Sequence, residues 1–176
     1  MLTEIVLTLT GPDRVGIVEE FTREVLALDG NVGTSRMARL GGAFAILMLV
    51  TLPVERVDDL EGAFGSLAAA GFKVTVTPTR SAAAAPAAGT RYRIGVRGAD
   101  HEGIVHGIAA GLAASGVNID ELETDAVPAP TTGTPIFSMD LLVSVREGTA
   151  EDAWRPALED AAREADVDVT VEPADI

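Results

Sequence analysis

The chain of 176 residues has no cysteine and two histidines, and its aromatic side chains are five Phe, one Trp and one Tyr. Without cysteine there are no disulfides and no thiolate-metal sites, and two histidines leave little for a metal to use. Basic charge is also scarce: 13 Lys and Arg face 27 Asp and Glu, a net charge of −14. That is the wrong sign for neutralising phosphates, so direct nucleic-acid binding is not expected. No run reaches the ~18 apolar residues of a membrane span. The first strand-like run starts at Leu2 with no basic and apolar leader before it, so a soluble, cytoplasmic protein is expected. No cofactor is implied. What the chain does have is 47% hydrophobic residues, enough to build one ordinary core or two small ones. The acidic excess is uneven, with 7 basic and 10 acidic side chains in residues 1–80 against 6 and 17 in residues 81–176.

Self-similarity decides between one core and two. Gly11-Pro12-Asp13-Arg14-Val15-Gly16-Ile17-Val18 returns 87 positions later as Gly98-Ala99-Asp100-His101-Glu102-Gly103-Ile104-Val105. Each copy is preceded by alternating apolar residues with the period of a half-buried strand, Ile5, Leu7, Leu9 and then Tyr92, Ile94, Val96. Each is followed by a helical stripe: Val18, Phe21, Val25, Leu28 in the first, and Ile104, Ile108, Leu112 with Val105 and Ala109 alongside in the second. Glycine then marks the helix end, and an asparagine opens the next segment, as Gly30-Asn31 and Gly116-Val117-Asn118. Strands are expected at Ala43 to Leu52 and Phe72 to Pro78, with a helix at Val57 to Ala70 between them. In the second copy strands are expected near Asn118 to Val127, Pro135 to Val145 and Val167 to Val171, with a helix near Glu151 to Ala165.

The expected fold is α+β: two ferredoxin-like βαββαβ modules, each a four-stranded antiparallel sheet with two helices on one face. The expected boundaries are residues 1–80 and 91–176. Residues 81–90, rich in Ala with Pro86 and Gly89, form the linker between them.

The copies differ in two informative places. If Phe44, Ile46, Met48 and Val50 face the helices, the other face of that strand carries Ala45, Leu47 and Leu49, where the second copy has Ser138, Asp140, Leu142 and Ser144. Val6 and Thr10 are likewise matched by Arg93 and Arg97. An apolar open sheet face marks a contact surface, so association through the first module, most simply as a homodimer, is expected. The hairpin after the second strand is Gly41-Gly42 in the first copy. In the second it is the long stretch Val127 to Pro135, long enough to cover a neighbouring site.

The loop from the first strand into the first helix is the strongest candidate for chemistry, because it points backbone N–H groups at a helix N-terminus where an anion can be held. Gly16 and Gly103 leave that approach open, Asp13 and Asp100 stand just before the helix, and Asn31 and Asn118 open the following strand. Together these groups suit a zwitterion, a free amino acid whose carboxylate meets the N–H groups and whose ammonium meets the Asp or Asn oxygens. Arg14 and His101 lie in the same loop, and the candidate ligand-binding set is Asp13, Arg14, Gly16, Asn31, Asp100, His101, Gly103 and Asn118. The competing reading makes Asp13 and Asp100 helix caps and the asparagines turn residues. His101 and His106 are five apart, roughly 140° around a helix, and no third ligand joins them. The glycines lack the Lys-Ser/Thr of a phosphate loop. Trp154 and Tyr92 read as packing residues, and no nucleophile, base and carboxylate set recurs in both copies.

With these residues in place, the chain resembles the ACT domain, a βαββαβ regulatory module of amino-acid metabolism. The resemblance rests on Gly11 to Val18 with Gly30-Asn31-Val32, and on Gly98 to Val105 with Asn118-Ile119, and covers nearly the whole chain. A free-standing pair with a Pro-rich hairpin such as Ala129 to Pro135 is most similar to the glycine cleavage system transcriptional repressor family. Similar Gly-Pro-Asp-Arg loops open the formyltetrahydrofolate deformylases, whose catalytic domain has no counterpart here. The resemblance implies a non-catalytic, amino-acid-responsive regulator of glycine, amino-acid or one-carbon metabolism, with ligand at a module interface near Asp13 or Asp100 and Asn31 or Asn118. In an acidic chain without a DNA-reading element, a repressor role would run through a protein partner. Two other classes remain open: a purely structural dimerisation module, and an acylphosphatase-like enzyme using Arg14 in the same loop. Asp13 beside Arg14 and His101 in the second copy oppose the latter.

Overall fold

In the computed structural model the described residues are 1–79, 89–129 and 133–174. They fall into two compact units, Met1–Ala84 and Ala85–Ile176. The linker expected at 81–90 lies outside the described residues up to 88, and Gly89 and Thr90 already belong to a strand. The middle of the long hairpin, residues 130–132, is likewise outside them, and with it the expectation that this loop covers a site.

The first unit runs β1 (Leu2–Pro12), α1 (Ile17–Ala27), β2 (Asn31–Leu40), β3 (Ala43–Pro53), a 3-10 turn (Val54–Asp59), α2 (Leu60–Ala63), α3 (Gly65–Ala69) and β4 (Lys73–Pro78). Its antiparallel sheet has the order β2-β3-β1-β4. The second unit runs β5 (Gly89–Ala99), α4 (Ile104–Ala114), β6 (Asn118–Pro128), β7 (Pro135–Arg146), a 3-10 turn (Glu151–Ala153), α5 (Arg155–Glu164) and β8 (Val167–Pro173), with sheet order β6-β7-β5-β8. Both are the split βαβ arrangement that the sequence pattern predicts.

Strand alternation produces one buried face per sheet. Ile5, Leu7, Leu9, Phe44, Ile46, Met48, Val50 and Leu52 pack under the helices in the first unit. Tyr92, Ile94, Val96, Phe137, Met139, Leu141, Val143 and Val145 do so in the second. The helical stripe of the first unit begins one residue earlier than expected: Ile17 rather than Val18 joins Phe21, Val25 and Leu28 in full burial, because the helix starts at Ile17 and the 17, 21, 25, 28 spacing tracks one face. In α4 the expected trio Ile104, Ile108 and Leu112 is buried, whereas Val105 is 38% exposed.

The single helix expected over Val57 to Ala70 is broken into a 3-10 turn and two short helices. Gly62 and Gly65 weaken helix propagation there, while Leu60, Phe64 and Leu67 keep the buried face continuous across the break. The helix ends differ as well. The left-handed residue is Gly116 in the second unit (φ 70°), but Asp29 in the first (φ 55°). Gly30 follows it, and a Cβ there would lie 2.8 Å from the Val25 carbonyl oxygen and side chain. Asp29 therefore corresponds to Gly116 and Gly30 to Val117, and the 87-residue offset holds through both asparagines. The amides of Gly30 and Val117 make the matching bonds, to the carbonyls of Val25 and Leu112, both at 3.0 Å.

The open sheet faces are as unlike as the sequence implies. Leu47 is 50% exposed, with Ala45 also exposed and Leu49 half-buried. In the second unit Arg97 pairs with Asp140 across the same face at 3.3 Å.

Candidate functional site

The loop between β1 and α1, and its copy between β5 and α4, are built by one residue each. Gly16 (φ 87°) and Gly103 (φ 94°) occupy the left-handed region at the helix N-cap, and their carbonyls accept from Glu20 at 3.0 Å and Gly107 at 2.9 Å. The glycines are thus required by backbone conformation, and no atom lies within 4 Å of where a Cβ would be. Neither helix has a side-chain cap, which removes the reading of Asp13 and Asp100 as caps. Their amides instead tie the loop to the hairpin beside it, Asp13 to Gly42 at 2.9 Å and Asp100 to Pro135 at 3.0 Å.

The carboxylates differ. Asp13 pairs with Arg39 on β2 at 3.1 Å. The 87-residue offset puts Ala126 in the place of Arg39, so the second unit keeps an exposed loop carboxylate without that arginine. Sequence reasoning missed Arg39, although the same offset would have paired it with Ala126.

Arg14 and His101 each reach the segment just past the last helix of their own unit, and Arg14 is also held at the first turn of α1 through Glu20. Arg14 pairs with Glu20 and places its guanidinium 5.2 Å from the Phe72 ring centroid. His101 holds two carbonyl oxygens, Glu102 through Nδ1 at 3.0 Å and Ala165 through Nε2 at 2.7 Å. Only the imidazolium carries N–H on both nitrogens. The bonds to Glu102 and Ala165 accordingly raise its pKa above the ordinary 6.5, with Asp100 and Asp166 adding in the same direction. A raised folded-state pKa contributes stability that is fully present below the unfolded value and lost as pH rises through the folded one. A His101 NMR titration midpoint above 6.5 is expected, together with a fall in thermal midpoint through the same pH range that is missing in His101→Gln. A midpoint at or below 6.5 would refute this clamp.

Asn31 and Asn118 do open β2 and β6, but not beside these loops. Asn31 pairs with Thr51, which is opposite Glu4, whereas the loop leaves β1 beyond Gly11, which is opposite Phe44. The same holds for Asn118, Ser144 and Arg91. Seven residues of strand separate the two ends, roughly 23 Å at ~3.3 Å per residue. Within one module, then, Asp13 and Asn31 do not share a site, and neither do Asp100 and Asn118; strands read one at a time hid this, and only their pairing exposes it.

At the Asn31 end an open groove of about 430 Å³ runs between α1 and β2, lined by Glu19, Thr22, Arg23, Leu26, Asn31 and Val32 among others. Beside β4 a larger cleft of about 650 Å³ is lined by Val57, Leu60, Phe64, Ala68 and Val74 through Val76. At the Asn118 end sits a polar cluster that the sequence reading did not single out. Asp120 is the extra residue of a β-bulge in β6. Its Oδ1 accepts from Asn118 Nδ2 at 2.7 Å and from Ser144 Oγ at 3.0 Å, and its Oδ2 is 3.8 Å from Arg91 Nε. Among the described residues no three His, Asp or Glu side chains group as metal ligands, and no helix is long and apolar enough to cross a membrane.

Comparison with known proteins bears on the fold of the two units. Models of the ACT domain match residues 3–76 and residues 99–172. The crystal structure of an unknown protein from Galdieria sulphuraria is 33% identical, with a TM-score of 0.83 over 99% of this chain and 100% of that one. The crystal structure of a proposed glycine cleavage system transcriptional repressor is 19% identical, with a TM-score of 0.74 over 100% of this chain and 99% of that one, a likeness of fold. No curated protein matches the chain.

Proposed function

The chain belongs to the ACT domain family as a tandem of two such domains, and from that premise we propose that it is a non-catalytic regulator that senses a free amino acid. The observation that carries this reading is the second module's loop. Gly103 opens the N-terminus of the 11-residue α4 to an anion, and Asp100 stands beside it without the arginine that occupies Asp13. A carboxylate on the helix amides and an ammonium on Asp100 account for both groups of a zwitterion. Because Asn118 lies at the other end of its sheet, a ligand that also uses the asparagine sits where a second copy of the chain brings its own Asn118 to this loop. That arrangement makes sensing depend on association, and the apolar open face around Leu47 and Leu49 supplies a surface for it.

Glycine is the first ligand to test, given the fold shared with a proposed glycine cleavage repressor. With a net charge of −14, the output runs through a protein partner and not through DNA. A thermal-shift panel of the twenty amino acids tests the proposal. A ligand at about ten times its dissociation constant adds ~1.4 kcal/mol to folding stability, and Asp100→Ala is expected to abolish that shift. No shift with any amino acid would favour the second reading, a purely structural association module. Sedimentation at micromolar concentration is expected to show a dimer that Leu47→Arg converts to monomer. A wild-type monomer would remove the association on which both readings depend.

A further inference from the structure

The two modules differ most sharply two residues after their asparagines, where the first has Gly33 and the second has Asp120. The positions around them change in concert. Across the strands from the asparagines stand Thr51 and then Glu4 in the first module, Ser144 and then Arg91 in the second. A carboxylate at position 33 would therefore face the like charge of Glu4, whereas Asp120 faces Arg91. The Asp120 side chain is only 14% exposed although it lies on an edge strand, and its Oδ2 is fully buried with no hydrogen-bond partner. Such a placement costs desolvation energy, and its visible return is the pair of bonds to Asn118 and Ser144.

We propose that Asp120 is the positioning residue of the second module's ligand site: it fixes the Asn118 amide with its NH2 inward and its carbonyl oxygen outward, as an acceptor for a ligand ammonium. The orientation follows from chemistry, since an ionised carboxylate only accepts and the amide must turn a donor toward it. Asn31, exposed and with Gly33 in place of the carboxylate, has no such device. The second module is thereby the specific one, and it selects for a cationic group at this end. The proposal rests on the ligand reading above, in which Asn118 is a ligand contact.

Side-chain amide resonances in the full chain, with glycine titrated as the probe, test it. In the wild type the two Asn118 NH2 protons are expected to be widely split, one of them held by the carboxylate. In Asp120→Ala the pair should collapse toward the exposed-asparagine position, while the Asn31 pair stays where it is. Ser144→Ala should leave the Asn118 pair split, since it removes only the second bond to Asp120. Asp120→Gly, which copies the first module, replaces the alanine variant should that one fail to fold. Glycine affinity, measured on the folded variant, should weaken about tenfold in Asp120→Ala. An unchanged Asn118 pair, or a collapsed pair with unchanged affinity, would overturn the proposal. A wild-type chain that binds no amino acid would overturn the ligand reading and this proposal's role in it, and the amide spectra would still decide whether Asp120 orients Asn118.

Discussion

Replacing Trp154 by alanine is expected to lower the unfolding free energy by about 3–5 kcal/mol, the range for deleting a large buried ring. Trp154 is 0% exposed. It sits where the 3-10 turn Glu151–Ala153 passes into α5, and its ring meets Tyr92 at a centroid distance of 5.1 Å and an angle of 56°. Truncation would open a cavity between β5 and the start of α5 that Leu158 and Ala162, on the same buried face of α5, cannot close without moving that helix. The indole Nε1 is buried without a partner. Trp154→Phe keeps most of the ring contact and deletes that unpaired donor, so its loss should be distinctly smaller. Urea denaturation followed by far-UV circular dichroism measures both, since the chain holds one Trp and either variant loses its intrinsic fluorophore. A loss below about 1 kcal/mol in Trp154→Ala would mean that the ring is not the core residue its burial implies.

The strands, the helices and their doubling were legible because each rests on local periodicity that any chain must display to bury one face. Ile5, Leu7 and Leu9 alternate whatever they later pack against, and the 87-residue offset is anchored by Gly16 and Gly103, whose left-handed backbone is a local requirement. What escaped was whatever depends on strands meeting. The distance between Asp13 and Asn31 is set by which residues of β1 and β3 come opposite β2, and nothing within either segment encodes it. Asp120 escaped for the same reason: a bulge is a property of a pair of strands, and an Asp between Ile119 and Glu121 looks like one more solvated acid in a strongly acidic half. The broken α2 and α3 were hidden differently, because Leu60, Phe64 and Leu67 maintain a helical stripe through two glycines that interrupt the backbone beneath it.

The first glycine of the repeated motif also proves to have a packing reason, and Phe72 is the residue through which to expose it. A Cβ at Gly11 would lie 2.3 Å from Phe72 Cδ1, and one at Gly98 would lie 2.6 Å from Val167 Cγ1. In each module, therefore, the side chain that leads into the last strand folds over the end of the first. Phe72 is 4% exposed, and Phe72→Ala should cost about 3–5 kcal/mol through the cavity it leaves. Gly11→Val should cost about 1–3 kcal/mol because the ring must move aside. The double variant is the decisive one. With the ring gone the valine fills part of its space, so the combined loss should fall short of the sum by about 0.5–3 kcal/mol. Strict additivity in denaturant unfolding would show that Gly11 is not held to glycine by Phe72. The same ring carries the Arg14 guanidinium, so Phe72→Ala also removes that contact and leaves Arg14 with Glu20 alone. If Arg14 serves only as a packing staple, Arg14→Ala made in the Phe72→Ala background should add little further loss. The first glycine of the motif, Gly11 in one module and Gly98 in the other, then marks where a last strand closes over a first, and in the proposed reading ligand recognition would rest on what differs around shared residues: Asp100 without the arginine that pairs with Asp13, and Asn118 with Asp120.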